Sequence, residues 1–347
     1  MIKDSLKRPL DKFENIAVGI DSVRQMLCKT SILRLSRDWG ATHNDGITAF
    51  AFAADEKYAF SVSFDRKMIH WNIQKGTKSF DCGPIHTDKI NSIAVTRNGK
   101  WALTISRDRR MKQFNMEIQK VAKQVKLEHD YGVIHEKDVN DLCLSPDSKT
   151  CWTVGHDGFM REWNLLKKEM DHEWPTASDC PLVKIEISPD SQYLYTAAED
   201  GTIKQWSTST KLLTHDFKVV HKNCPRSLLL SICGDFLYVG FTNGLVVELA
   251  LQQKTLAHNW GVLNESGMAS MAMSPCGNFI YTGSLDGVLR QYRTGDRRMH
   301  KDYGKVHNAS INAIGVSPSG NFLMTGSGDK KMKSFGVLKD WNMTWTS

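Results

Sequence analysis

No stretch of the 347-residue chain approaches about 18 consecutive apolar residues, so nothing in it reads as a membrane-spanning helix. The opening residues, MIKDSLKRPLDKFENIAVGI, lack an apolar stretch leading to a small-residue cleavage site, which speaks against a secretory signal. Asp4, Asp11 and Glu14 argue against a mitochondrial presequence. Eight cysteines occur, at 28, 82, 143, 151, 180, 224, 233 and 276, yet no two are spaced C-x-x-C, so neither a zinc knuckle nor a redox pair is signalled. The expectation is reduced thiols in an intracellular, cytoplasmic protein. The N-x-S/T matches at Asn264, Asn308 and Asn342 then carry no meaning. Charge of one sign is scarce too: 45 Lys+Arg against 38 Asp+Glu leaves +7, compatible with acidic partners without demanding them. The 41% hydrophobic and 24% charged content excludes a largely disordered or collagen-like chain. Ten tryptophans, against only nine prolines, call for an explanation by position.

Internal repetition supplies it. An acidic or amide turn residue recurs as Asp65, Asp108, Asp157, Asp200, Asn243, Asp286 and Asp329, at steps of 43, 49, 43, 43, 43 and 43. The one long step is a six-residue insertion within residues 117–128, carrying Lys120, Lys123 and Lys126 and expected on the face opposite the turns. Twenty-two residues before each turn stand His43, His86, His135, Ser178, His221, Asn264 and His307. Six residues after it stand Trp71, Phe114, Trp163, Trp206, Leu249, Tyr292 and Phe335. Four before it stand Ser61, Thr104, Thr153, Thr196, Val239, Thr282 and Thr325. Two further columns are mostly aromatic: Trp39, Cys82, Tyr131, Trp174, Phe217, Trp260 and Tyr303, and Tyr58, Trp101, Thr150, Tyr193, Phe236, Phe279 and Phe322. Seven of the ten tryptophans therefore lie in repeat columns, which makes most of the excess packing, at about 1.5–3 kcal/mol per large buried side chain.

Each unit reads as four short strands. An apolar stretch follows the His position (139–144, 311–316). A turn comes next, as in Ser145-Pro146-Asp147 and Ser188-Pro189-Asp190, where proline presets φ. The second strand ends at the acidic turn, which is Asp-Gly or Asn-Gly at 157, 200, 243 and 286, the chemistry of a tight hairpin. The third strand carries the aromatic column, and a polar fourth strand leads to the next His. Residues 32–39 have the register of such a fourth strand without a unit of their own, so they are expected to complete the last unit. The tail 340–347, with Trp341 and Trp345, is the competitor, one residue out of register.

These columns make the chain resemble the WD-repeat (WD40) family over about residues 31–347, with Trp71-Asn72 and Trp163-Asn164 where the family's Trp-Asp stands. The prefix Asp-Trp/Tyr-Gly-x-x-His (Asp38 to His43, Asp130 to His135, Asp302 to His307) is similar to divergent WD arrays common in ciliated protists. The resemblance implies an all-β, seven-bladed β-propeller. It also implies a hydrogen-bonded structural network inside each blade: Trp71, Ser61, His43 and Asp65 in the first; His86, Thr104 and Asp108 in the second; Trp163, Thr153, His135 and Asp157 in the third; Trp206, Thr196 and Asp200 in the fourth; His307, Thr325 and Asp329 in the last. Unit 4 departs at Ser178, unit 5 at Val239, Asn243 and Leu249, and unit 6 at Asn264 and Tyr292; units 5 and 6 are expected to be the least rigid.

Two features lie outside the repeat logic. Leu6, Leu10, Phe13, Ile16 or Ala17, Ile20, Val23 and Leu27 recur at three- and four-residue spacing with charges between them, predicting an amphipathic helical extension over residues 1–30. It packs either on its own propeller or in a partner's groove. The turns of units 7, 1 and 2, neighbours in a closed ring, are basic (Lys330, Lys331; Arg66, Lys67; Arg109, Arg110), whereas units 3 to 6 carry glycine after the turn residue. That predicts either a solvated surface or a face for an acidic protein segment or nucleic-acid phosphate.

Catalysis finds little support. A Ser/Thr, His and Asp set that recurs in several units is structural, because an active site is single. Gly283-Ser284-Leu285-Asp286-Gly287 breaks G-x-S-x-G, Gly326-Ser327-Gly328-Asp329-Lys330 lacks P-loop spacing, and His221 and Cys224 have no second metal pair. The expectation is a non-catalytic scaffold or adaptor without cofactor, metal, membrane or small-molecule substrate, a subunit of a multiprotein assembly, cytoskeletal or ciliary in character. The alternative is an RNA- or ribosome-associated propeller binding through the basic face.

Overall fold

The computed structural model describes residues 32–53, 55–116, 125–174 and 180–338. The chain enters on β1 (Ile32–Ala41). Blade 1 follows as β2 (Ile47–Phe52), β3 (Tyr58–Ser63), β4 (Lys67–Asn72) and β5 (Thr77–Pro84). Blade 2 is β6 (Ile90–Val95), β7 (Trp101–Ser106), β8 (Arg110–Asn115) and β9 (Lys126–Val133); blade 3 is β10 (Val139–Leu144), β11 (Thr150–Gly155), β12 (Met160–Asn164) and β13 (Glu169–Trp174). Blade 4 is β14 (Leu182–Ile187), β15 (Tyr193–Ala198), β16 (Thr202–Ser207) and β17 (Leu213–Val219); blade 5 is β18 (Pro225–Leu230), β19 (Phe236–Phe241), β20 (Leu245–Ala250) and β21 (Thr255–Val262). Blade 6 is β22 (Met268–Met273), β23 (Phe279–Ser284), β24 (Val288–Arg293) and β25 (Met299–Lys305), and β26 (Ala313–Val316), β27 (Phe322–Gly326) and β28 (Lys331–Leu338) open blade 7. Each of the seven sheets has four strands, and β1 supplies the outer strand of the last one, in the order β1-β28-β27-β26. The architecture is an all-β, seven-bladed propeller.

The middle strands are buried on both faces, as in β7, because each blade is covered by a neighbour on either side. The core is accordingly a set of seams. Trp152, Val154 and Met160 of blade 3 pack with Leu182, Ile185 and Leu194 of blade 4. Ile47, Ile69 and Trp71 of blade 1 pack with Met324 and Met332 of blade 7. One expected strand is shorter than its sequence suggested: β26 starts at Ala313, since Ile311 and Asn312 belong to the entry loop, where the Ile311 amide bonds the Ser284 carbonyl and the Asn312 side chain bonds the Ile47 carbonyl.

Asn312 is one of a ring of side chains that sequence reasoning missed. On or just before the innermost strands, Asn312 Nδ2 donates to Ile47 O (2.9 Å), Thr48 Oγ1 to Ile90 O (2.8 Å), Asn91 Nδ2 to Val139 O (2.7 Å), Asn140 Nδ2 to Leu182 O (2.7 Å) and Ser270 Oγ to Ile311 O (2.6 Å). Each bond ties one blade to the next through a backbone carbonyl. Four of these donors stand five residues after the His column, at a position that varies too much in type to announce itself.

The recurring Asp-Trp/Tyr-Gly prefix also has a local cause. The carboxylates of Asp38, Asp130 and Asp302 accept from the amides of Gly40, Gly132 and Gly304 at 2.7–2.9 Å. Those glycines sit at φ of 68°, 74° and 66°, where a side chain is disfavoured. At each of them the pairing with the blade's third strand slips, a bulge near the end of the outer strand.

Closure rests on β1, whose pairing with β28 runs from Ile32↔Leu338 to Ala41↔Lys331. A chain starting at Ile32 should keep a single cooperative heat transition. One starting after Ala41 leaves β28 an open edge and should lose that transition or aggregate; an unchanged transition by calorimetry would show closure to be dispensable.

Candidate interaction face

The entry loop of each blade and the turn between its second and third strands share one rim. In blade 1, Trp71 Nε1 donates to Ser61 Oγ (2.8 Å), Ser61 Oγ lies 2.7 Å from His43 Nε2, and His43 Nδ1 lies 2.9 Å from Asp65. An indole N–H can only donate, so the hydroxyl passes its own proton toward Nε2 and leaves Nδ1–H for the carboxylate. Blade 3 repeats the chain through Trp163, Thr153, His135 and Asp157, and Arg161 joins Asp157 (3.0 Å) to Glu173 (2.6 Å). Blades 2 and 7 lack the indole, having Phe114 and Phe335, but keep His86 on Thr104 and Asp108 (both 2.9 Å) and His307 on Thr325 (2.8 Å) and Asp329 (3.1 Å). In blade 4, Trp206 donates to Thr196 (3.0 Å) and Asp200 receives the Thr202 amide (2.9 Å), while Ser178 lies outside the described residues.

Each aspartate also holds backbone. Asp65 accepts from the amides of Asn44 and Lys67, and Asp108 from those of Thr87 and Arg110. Burial alone would raise these carboxyls; the histidine bonds and charge, with the amides, outweigh it and hold both at about 2. Asp157 and Asp329 are lowered by the same balance. The hydroxyls of Ser61, Thr104 and Thr153 are wholly buried, so no substrate carbonyl can reach them and these sets cannot act as hydrolytic triads.

Blades 5 and 6 lose the network in different ways. In blade 5, Val239 and Leu249 merge with Leu228, Phe241 and Val247 into an apolar cluster, and the His221 ring lies 5.1 Å from that of Phe241. Blade 6 is a half-conversion. Asn264 accepts from Arg290 (2.6 Å), the Tyr292 hydroxyl turns to Leu263 O (2.9 Å), and Thr282 Oγ1 is buried with no partner among the described residues. Another orphan sits in blade 1: both nitrogens of His70 lack a partner among the described residues, its ring packed 4.7–4.9 Å from Tyr58, Phe60 and Phe80, and burial pushes it down to about 4.

The expected basic face divides in two. Lys67 pairs with Asp81 (3.3 Å) and Arg110 with Asp130 (3.3 Å), so these cations are partly neutralised by their own outer strands. Lys331 is half-buried in β28. Arg66, Arg109 and Lys330 are exposed, and no side-chain partner holds them among the described residues. All three sit in the left-handed backbone region, at φ of 70°, 67° and 70°. For a side-chain-bearing residue that costs on the order of 1 kcal/mol. Blades 4, 5 and 6 have glycine there for a steric reason: a Cβ on Gly201, Gly244 or Gly287 would strike the carbonyl oxygen of His221, Asn264 or His307. Leu10, Phe13, Ile20 and Leu27, like Lys120, Lys123, Trp341 and Trp345, lie outside the described residues.

Seven radial sheets whose rim is locked by recurring His–Asp pairs define a repeat propeller. A family model described as WD domain, G-beta repeat matches residues 39–72, 80–115, 175–207, 252–293 and 302–335. These matches span just over half of the chain, which belongs to the WD40-repeat family. Comparison with curated proteins gives no match.

Two outcomes test the network. Thr153→Val strands an indole and an imidazole and should cost about 2–4 kcal/mol in urea unfolding, whereas Thr282→Val removes an orphan and should be neutral or stabilising by up to about 1 kcal/mol. Equal losses would show that the hydrogen-bond chain does not matter. The second concerns pH. His70 folds with its pKa below 6.5, so the unfolded chain binds more protons between pH 6.5 and 4. Its contribution is complete above 6.5 and is lost as pH falls toward 4, by at most about 3 kcal/mol. His70→Phe should flatten that part of the stability profile. The paired Asp65 and Asp108 lose theirs lower, as pH falls from 3.8 to about 2.

Proposed function

We propose that this protein is a non-catalytic interaction scaffold within a multiprotein assembly, and that it docks an acidic segment of a partner protein on the rim of blades 7, 1 and 2. The observation that carries the reading is the placement of Arg66, Arg109 and Lys330. Three adjacent blades hold an unpaired, exposed cation in a backbone conformation that favours glycine. Local stability gives no reason to keep them there, whereas presentation to a ligand does.

A phosphate backbone is the second choice. Asp81 and Asp130 interrupt the positive surface at Lys67 and Arg110, and Arg107 stands 3.9 Å from Asp138. Three separated points suit carboxylates on a protein segment better than a continuous run of phosphates. The amphipathic segment 1–30, with Leu10, Phe13, Ile20 and Leu27, serves in this reading as a second attachment to the assembly. A cytoplasmic place rests on cysteines without C-x-x-C spacing, and a cytoskeletal or ciliary assembly on the similarity of the Asp-Trp/Tyr-Gly-x-x-His prefix to ciliate arrays.

The triple variant Arg66→Glu, Arg109→Glu, Lys330→Glu should lose co-purifying proteins with its Tm within about 2 °C of the parent. Unchanged recovery would sink the docking face. Loss of bound RNA rather than of proteins, with a steep salt dependence in the parent, would favour the nucleic-acid reading.

A further inference from the structure

The opposite rim carries its own periodic contact. Five residues after the aromatic column, the turn between third and fourth strands bears Lys168, Lys211, Lys254 and Arg297, at φ of 62°, 62°, 57° and 58°. Each reaches back to the preceding blade. Lys168 Nζ meets Glu128 of blade 2 at 3.0 Å. Lys211 meets Glu162 of blade 3. Arg297 grips Glu248 of blade 5 with two bonds of 3.0 and 3.1 Å, and Trp260 donates to the same carboxylate at 2.8 Å. Glu162 and Glu248 occupy one repeat position, immediately before the aromatic column, and both are buried.

The seam between blades 4 and 5 breaks this pattern. Blade 4 has the neutral Gln205 at the position of Glu162 and Glu248, as blades 2 and 6 have Gln113 and Gln291, and it has Thr214 where the outer strand of blade 2 supplies Glu128 to Lys168. Gln205 bonds the Tyr195 hydroxyl (3.0 Å) and accepts from Thr214 (3.2 Å). Lys254 is left with a single backbone carbonyl, Thr214 O, at 3.4 Å. A cleft of ≈ 660 Å³ opens at that spot, lined by Gln205, Tyr195, Thr214 and Lys254, with Pro189, Tyr193 and Leu251 as apolar walls. Gln205 and Tyr195 are 4% and 2% exposed, and their side chains are bonded to each other. A cation and two buried polar side chains thus converge at the position that Glu162 and Glu248 fill in blades 3 and 5. Asp190 and Asp235 at the mouth are already engaged, by Ser188 and Gln252, and their charge disfavours a polyanion.

We propose that the cleft between blades 4 and 5 is a second docking site, which takes a single carboxylate side chain, flanked by apolar residues, from an extended segment of a partner protein. The incoming carboxylate completes the seam as Glu162 and Glu248 complete theirs. Because the site lies on the rim away from Arg66, Arg109 and Lys330, it stands or falls separately from the first face.

The test uses the full chain and a panel of capped pentapeptides with a central glutamate between leucine, valine, phenylalanine or tyrosine, beside central-glutamine twins, read by fluorescence polarisation. At least one glutamate peptide should bind, its twin about tenfold or more weaker. Lys254→Met should abolish binding without moving Tm, since Lys254 is exposed. Gln205→Glu should supply the carboxylate internally, raise Tm by about 2 °C and block the peptide. The charge-reversed triple variant should bind as the parent does. Absence of binding across the panel, equal binding of the twins, or binding indifferent to Lys254→Met would overturn the proposal. If Gln205→Glu does not fold, Lys254→Met and the twins decide.

Discussion

A four-stranded sheet with apolar side chains on both faces has no stable existence alone in water, and this constraint governs the protein. Each blade buries its faces only against the blade before and the blade after it. The hydrophobic clusters are therefore seams, and a seam must exist between the last blade and the first as well. That requirement explains why β1 leaves the N-terminal side of the chain to pair with β28. It also explains why contacts between blades are so systematic: amides and hydroxyls bridge the inner strands, and basic turns clip the outer ones.

Within the seams, the blades treat the polar network differently. Blade 3 keeps a complete relay from indole to carboxylate, reinforced by Arg161. Blade 5 has exchanged the relay for valine and leucine, and its partners changed with it, so its loss carries no orphaned donor. An apolar replacement of matching shape can hold as well as a buried polar network. Blade 6 is the uncomfortable intermediate, with Thr282 stripped of its partners. The cost lies in leaving a group half-served, not in dispensing with the network.

Such a ring offers two rims of fixed geometry and little internal machinery. The residues that could pass for catalysts are sealed under the rim they stabilise. The repeat is broken in favour of exposure or emptiness at two places: cations where glycine would be easier, and a cleft beside Gln205 where the turn lysine of the next blade meets a carbonyl instead of a carboxylate. Both irregularities become visible only against the regularity of the other blades.

Much of this was legible in the sequence. The 43-residue spacing set the number of blades, the columns named the His, Asp and Ser/Thr residues that meet, and the register of residues 32–39 pointed to the strand that closes the ring. These features are legible because they recur at fixed offsets, and a repeat places equal positions at equal heights. The contacts between blades were not legible. Asn91 finds Val139 O, and Arg297 finds Glu248, across distances in sequence that depend on how neighbouring sheets stack, and their donors and acceptors differ from seam to seam. Whether a turn lysine meets a carboxylate or an open cleft is likewise settled by packing. The sequence determined the module and its count; the tertiary structure decided which seams are filled, which groups stay unpaired and where a partner could enter, because those depend on pairs of modules in contact rather than on any one of them.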